Sequence, residues 1–175
     1  FEEFGRDMDE GMEIAALLEK AGYDALDADV GCYDAWYWSH PPMYFEDGLY
    51  LPFNKELKKH VTIPVLTAGR LDDPQLAAQA IADGATDMIG MARPLLADAQ
   101  LVNKVCMDDI EDIRPCLSCQ EGCIGRLKKY LHISCAVNPA ACRERVFALE
   151  KTDHPEKIAV VGGGIAGCEA ARVLK

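Results

Sequence analysis

The chain has 175 residues, half of them apolar and about a quarter charged, with no apolar run long enough to span a bilayer; composition excludes a membrane-spanning protein and fits a globular one. Lysine and arginine number 18 against 29 aspartates and glutamates, and the resulting net charge of −11 describes a surface that repels nucleic acid and anionic lipid. Eight cysteines, with no secretory leader over Phe1 to Arg6, argue against a disulfide framework and for a reducing, cytoplasmic setting, and the gathering of four between Cys116 and Cys135 points to metal binding.

Met12, Ala15, Ala16, Leu17 and Leu18 recur at helical spacing, which predicts a helix from Asp9 to Ala21 ended by Gly22. A strand is expected at Ala25 to Val30. The following stretch, Gly31 to Tyr50, is rich in aromatic residues and proline, as a loop that shapes a binding site would be. Asn54 is placed as the cap of a helix running to His60. The order then repeats: strand Pro64 to Thr67, turn Ala68-Gly69-Arg70, helix Pro74 to Asp83, glycine stop at Gly84, strand Asp87 to Gly90. Leu95 to Cys106 reads as one further helix. Such alternation describes parallel βα units of an α/β barrel or a doubly wound sheet. Beyond Ile113 the periodicity gives way to cysteine, glycine and proline, until Lys157 to Val161 forms an expected buried strand leading into a glycine turn and the start of a helix at Cys168.

Four features carry chemistry. Cys116-x2-Cys119-x3-Cys123-x11-Cys135 offers three closely spaced thiolates and a fourth from a neighbouring loop, the pattern of an iron–sulfur ligand set; four thiolates also suit zinc, although zinc sites usually use two separated cysteine pairs. Cys32, Cys106, Cys142 and Cys168 fall outside it and are expected to be small buried residues. Gly162, Gly163, Gly164 and Gly167 form a GxGxxG turn after an expected strand, a shape that lets a backbone approach a dinucleotide pyrophosphate at a helix N-terminus. Thr67-Ala68-Gly69-Arg70 and Gly90-Met91-Ala92-Arg93-Pro94 end two strands where barrels bind phosphate, unless Arg70 and Arg93 are solvated or paired with Asp72, Asp73 or Asp98. Tyr33, Tyr37, His40 and Tyr44 are candidate proton donors or substrate contacts, with Trp36 and Trp38 as walls; each is also explicable as a packed loop aromatic. Asp27 and Asp29 are assigned to structure.

Taken in order, Thr67 to Arg70, Asp87 to Asp98, the four-cysteine segment and the glycine turn resemble the old yellow enzyme-like NADH:flavin oxidoreductases that carry a cluster, near the 2-enoate and 2,4-dienoyl-CoA reductases. His40-Pro41-Pro42-Met43-Tyr44 resembles the enoate reductase branch more than the dienoyl-CoA one.

The resemblance implies the C-terminal portion of an FMN-binding (β/α)8 TIM barrel over residues 1–108, a [4Fe–4S] segment over 109–150, and the start of a Rossmann-like FAD-binding domain over 151–175. It implies that Gly69, Arg70, Met91, Ala92 and Arg93 hold the FMN phosphate. Cys116, Cys119, Cys123 and Cys135 would ligate the cluster, and Gly162, Gly163, Gly164 and Gly167 would receive FAD. Tyr33 takes the place of a histidine found in dienoyl-CoA reductases, which makes it the catalytic candidate here, with Tyr37, His40 and Tyr44 on the substrate side. The implied activity is NAD(P)H-dependent reduction of an activated C=C bond in a small unsaturated acid, thioester or ketone. Hydride chemistry would occur at the flavins and single-electron passage through the cluster. An amine dehydrogenase of trimethylamine-dehydrogenase type, and a non-catalytic zinc-stabilised binding protein, are the alternatives. No nucleic acid or membrane partner is expected, and a homo-oligomer is compatible with the pattern.

Overall fold

Residues 5–175 are described by a computed structural model, in two compact units that divide between Cys142 and Arg143. In the first unit three short strands, β1 (Leu26–Ala28), β2 (Val65–Thr67) and β3 (Met88–Ile89), form a parallel sheet in the order β1-β2-β3. Helices alternate with them, as the βα reading expects. Helix α1 (Met8–Lys20) precedes β1; its first turn is capped by the Asp7 carboxylate, which accepts from Glu10 N at 2.9 Å. Helix α2 (Trp36–Ser39) is a single turn inside the long aromatic loop, α3 (Leu51–Leu57) precedes β2, and α4 (Pro74–Ala82), capped by Asp73, connects β2 to β3.

Strand register divides the side chains between two faces. Asp27, Leu66 and Met88 are aligned across the three strands on one face, and Ala28, Thr67 and Ile89 on the other. The second face is the covered one. Val65, fully buried, packs with Met12 and Ala15 of α1, Leu57 of α3 and Val61, and Leu26, Ala28 and Ile63 close over this cluster. The first face is open, since Met88 and Asp27 are exposed and Leu66 is half-buried. Parallel strands are ordinarily covered on both faces, so this uncovered layer is the side on which a closed barrel would place its interior.

Two expected boundaries are corrected. Asn54 does not cap a helix: α3 begins three residues earlier, because Pro52 suits a first turn where its missing N–H is not needed. Asn54 is instead buried inside α3, where its Nδ2 donates to Tyr50 O at 3.1 Å and to the Thr67 hydroxyl, fastening the helix to the end of β2. The single helix expected over Leu95 to Cys106 is two, α5 (Arg93–Ala97) and α6 (Leu101–Cys106), and a single turn, α7 (Ile124–Leu127), follows within the cysteine segment. Asp98 breaks it with extended backbone, and its buried carboxylate accepts from Gln100 N at 2.9 Å, Arg114 N at 2.9 Å and Lys104 Nζ at 2.8 Å. Short polar side chains prefer such local bonds to helix interior.

Burial alone would raise the Asp98 carboxyl, but these three donors hold it below the usual carboxylate value. Its depressed pKa therefore adds stability above the unfolded value, lost as pH falls through the folded one. Asp98→Asn in the full-length protein is expected to cost about 2 kcal/mol near neutral pH, by the loss of charge-assisted bonds. Thermal unfolding of both proteins should show the gap shrinking below about pH 4; a gap that is constant with pH would contradict the assignment.

In the second unit Lys157 to Val161 does not form the expected buried strand: these residues are exposed and carry no strand pairing among the described residues. A strand exists only through its neighbours, and the apolar pattern of the sequence cannot supply them. Helix α8 (Ile165–Leu174) forms as expected, three residues ahead of the predicted start, with Gly164 at its cap. Cys32, Cys106, Cys142 and Cys168 are all exposed, which corrects the expectation of buried small residues.

Candidate functional site

Because Thr67 pairs with Ile89, the segments that follow, Ala68 to Arg70 and Gly90 to Arg93, leave the C-terminal ends of β2 and β3 side by side. Gly69 adopts φ +91, and a Cβ there would lie 2.5 Å from Cδ2 of the Tyr50 ring; the turn needs a residue without a side chain. Arg70 follows at φ +58. Its guanidinium pairs with Asp47 at 2.5 Å and donates to Pro42 O at 3.4 Å, so neither the solvated arginine nor the expected partners Asp72 and Asp73 describe it. Among the described residues its Nε is buried without a hydrogen-bond partner, a donor left over for an acceptor such as a phosphate oxygen. Arg93 donates to Pro41 O at 2.8 Å. Met91 is half-buried and Ala92 exposed beside it.

The aromatic loop is therefore gripped by the strand ends, and it is also packed on itself. Tyr50, at the end of the loop, is almost fully buried and its hydroxyl donates to Trp38 O. Burial, with Asp29 nearby, pushes that hydroxyl well above the usual phenol range, so it remains a donor at all ordinary pH. Trp38 meets Phe45 edge-on at 5.5 Å and Phe53 at 6.4 Å. The His40 ring stacks on Trp36 at 4.5 Å with only 9° between planes, and Lys128 Nζ sits 4.6 Å from the Trp36 ring centre. Burial and the Arg93 guanidinium lower the His40 pKa, which favours the neutral imidazole. Of the candidate substrate contacts, His40 is drawn into the packed layer. Tyr33 and Tyr44 are 88% and 90% exposed and Tyr37 is also exposed; Tyr33 edges the layer 5.6 Å from the Trp36 ring and Tyr37 stacks on Phe45 at 6.1 Å.

All four cysteines of the ligand pattern line one narrow pocket with largely apolar walls, together with Arg93, Leu96, Gln120, Gly122 and Val137. Cys135 reaches it because residues 133–135 run beside Gly122: Ser134 N donates to Gly122 O at 2.7 Å, and a Cβ on Gly122 would lie 2.5 Å from Ser134 O and 3.0 Å from Cys135 N. Burial raises the Cys116 thiol above its usual range. Among the described residues no three histidine, cysteine or acidic side chains gather tightly enough to hold a single metal ion.

In the glycine turn, Gly162 adopts φ +108, and a Cβ on Gly167 would fall on the Gly162 carbonyl oxygen. The first turn of α8 is thereby pressed against the segment before it. Gly163 and Gly164 have open space where side chains would point, so the backbone ahead of α8 is accessible to a ligand.

A model of the NADH:flavin oxidoreductase / NADH oxidase family matches residues 3–110. The chain belongs to that family. Cinnamate reductase of Clostridium sporogenes is 59% identical over 173 residues, covering 99% of this chain and 26% of its own length. NADH oxidase of Thermoanaerobacter brockii is 39% identical over 98% of this chain and 27% of its own length. A solved 2-naphthoyl-CoA reductase in complex with 2-naphthoyl-CoA superposes with a TM-score of 0.90 at 31% identity, over 97% of this chain and 26% of that one. The chain spans about a quarter of the length of these relatives. Their similarity continues through the cysteine segment and the glycine turn, beyond the residues that the family model matches.

Around these segments several residues escape sequence reasoning. Gln120 and Gly122, between the cysteines, and Asp47, Tyr50 and Asn54, around the aromatic loop, act through contacts 12 to 80 positions away in the chain or through the space they leave. Only Gly122 carries a signal, as a glycine inside a metal-ligand spacing.

Proposed function

We propose that the protein is an NAD(P)H-dependent reductase of an activated C=C bond, with the chain supplying parts of an FMN site, a [4Fe–4S] site and an FAD site. The observation that carries this reading is the shared pocket: Arg93, from the end of β3, lines the same space as Cys116, Cys119, Cys123 and Cys135. A phosphate-binding strand end and a thiolate set adjoin as electron transfer between two groups requires. Similarity to a cinnamate reductase over 99% of the chain supports a small unsaturated acid or thioester as substrate.

The residues present fit these groups. Arg70 Nε is a buried donor without a partner at the FMN phosphate position, and Gly69, Met91, Ala92 and Arg93 flank it. The four thiols line one pocket, and their spacing, three close together and one from a neighbouring loop, suits the corners of a polynuclear cluster. Gly162, Gly163, Gly164 and Gly167 leave the backbone ahead of α8 open to a pyrophosphate. When bound, the flavins supply hydride transfer and the cluster single-electron transfer. The chain's own part is to fix positions: Arg70 and Arg93 orient the phosphate end, the apolar pocket walls shield the thiols from water, and His40, stacked on Trp36, helps to hold the aromatic loop in place. Tyr33, Tyr37 and Tyr44 stand at the exposed rim of the same loop, where a proton donor or substrate contact would meet incoming substrate.

The test is the iron, acid-labile sulfide, zinc and flavin content of anaerobically purified full-length protein, followed by NADH-dependent reduction of trans-cinnamate. Iron, sulfide, FMN and FAD together with cinnamate turnover are the expected result. Zinc without flavin would establish the binding-protein alternative, and methylamine oxidation that ignores NADH would establish the amine dehydrogenase.

A further inference from the structure

Four consecutive residues of the aromatic loop are held by the two halves of the site, the outer two by the cysteine loop and the inner two by the strand-end arginines. His40 O accepts from Gln120 Nε2, Pro41 O accepts from Arg93 at 2.8 Å, Pro42 O accepts from Arg70 at 3.4 Å, and Met43 N donates to Ser118 O at 3.1 Å. Gln120 and Ser118 flank Cys119, while Arg70 and Arg93 belong to the strand ends. Pro42 O also accepts from Phe45 N at 3.1 Å, which closes a local turn at the end of this stretch.

The grip is specific in its geometry. Ser118 and Gln120 both adopt left-handed backbone, at φ 49 and 60, a conformation that non-glycine residues hold only when surrounding contacts impose it. Ser118 is 3% exposed, so its carbonyl is presented from a packed loop. Displacing the cysteine loop therefore displaces His40 and Met43, and with them the two carbonyls that share the arginine guanidiniums.

We propose that Gln120 is a positioning residue that couples the cysteine pocket to the phosphate arginines through the backbone of His40 to Met43, so that occupation of either site favours occupation of the other. Coupling between sites is reciprocal: if the cluster tightens FMN, FMN must tighten the cluster by the same factor. This inference rests on the cofactor reading given above. It adds that the two sites are not independent, and it names a residue whose side chain joins them.

The experiment uses full-length wild type and Gln120→Met, which removes the amide while keeping side-chain length and the non-glycine backbone. Iron release to a chelator is timed with and without bound FMN, and the FMN dissociation constant is measured by flavin fluorescence. In wild type, FMN is expected to slow iron release about fivefold or more, within the usual range of coupling between sites. In Gln120→Met that protection should fall at least about twofold, the bond from Met43 N to Ser118 O remaining as a second link, and the FMN dissociation constant should rise by a similar factor. Faster release in the variant with FMN protection intact would overturn the proposal, since it would show only local weakening of the cysteine loop. Wild-type protein that binds neither iron nor FMN would instead defeat the cofactor reading, and the proposal with it.

Discussion

Gly122→Ala in the full-length protein should lose bound iron although all four cysteines remain. A methyl group there would lie 2.5 Å from Ser134 O and 2.8 Å from Ser134 C, backbone atoms that cannot rotate away as a flexible side chain could. The only relief is to push the Ser134–Cys135 segment outward, breaking the 2.7 Å bond from Ser134 N to Gly122 O and withdrawing the fourth thiol from the pocket. Loss of a residue that orients metal ligands typically weakens metal retention on the order of 10–100-fold. Iron and sulfide per chain, with a low-temperature EPR spectrum of the reduced protein, measure it. FMN content and the thermal transition show whether the rest of the molecule has survived. Wild-type iron in a well-folded Gly122→Ala protein would mean that Cys135 is not a ligand held by this contact.

Gly167→Ala should act on the other flavin. The added Cβ would collide with the carbonyl of Gly162, so α8 would have to withdraw from the turn that precedes it. Forcing a methyl group into a close backbone contact costs about 1–3 kcal/mol or more, and the same displacement removes the N–H groups offered to a pyrophosphate. FAD retention is expected to fall about 10–100-fold, with FMN and iron unchanged. Chromatography of the flavins released from the purified full-length variant separates the two. Equal loss of FMN and FAD would indicate general unfolding, and unchanged FAD would place the dinucleotide elsewhere.

The helices were legible because their signals are local. Asp7 with Glu10, Asp73 with Gln75 and the glycines at 22 and 84 fix α1 and α4 within a residue or two of the expected limits. Reading failed where a side chain was recruited by something distant. Asn54 resembled a cap but serves Thr67, and Asp98 sits in an apparent helix but collects Arg114 and Lys104. It failed again at Lys157 to Val161, whose strand pattern has no pairing partner among the described residues.

The sequence by itself determined the order of parallel βα units, the four-cysteine spacing, the glycine turn and the family resemblance, because each is written in short-range periodicity or fixed intervals. Tertiary structure alone decided which face of the sheet is covered, that Arg70 pairs with Asp47, that Arg93 lines the cysteine pocket, and that Gln120 reaches His40 across 80 positions. Hydrogen bonds and close backbone approaches between distant segments depend on how the chain returns upon itself. No local pattern of residue types encodes that return, so the candidate site was visible as parts in the sequence and as one connected arrangement only in the fold.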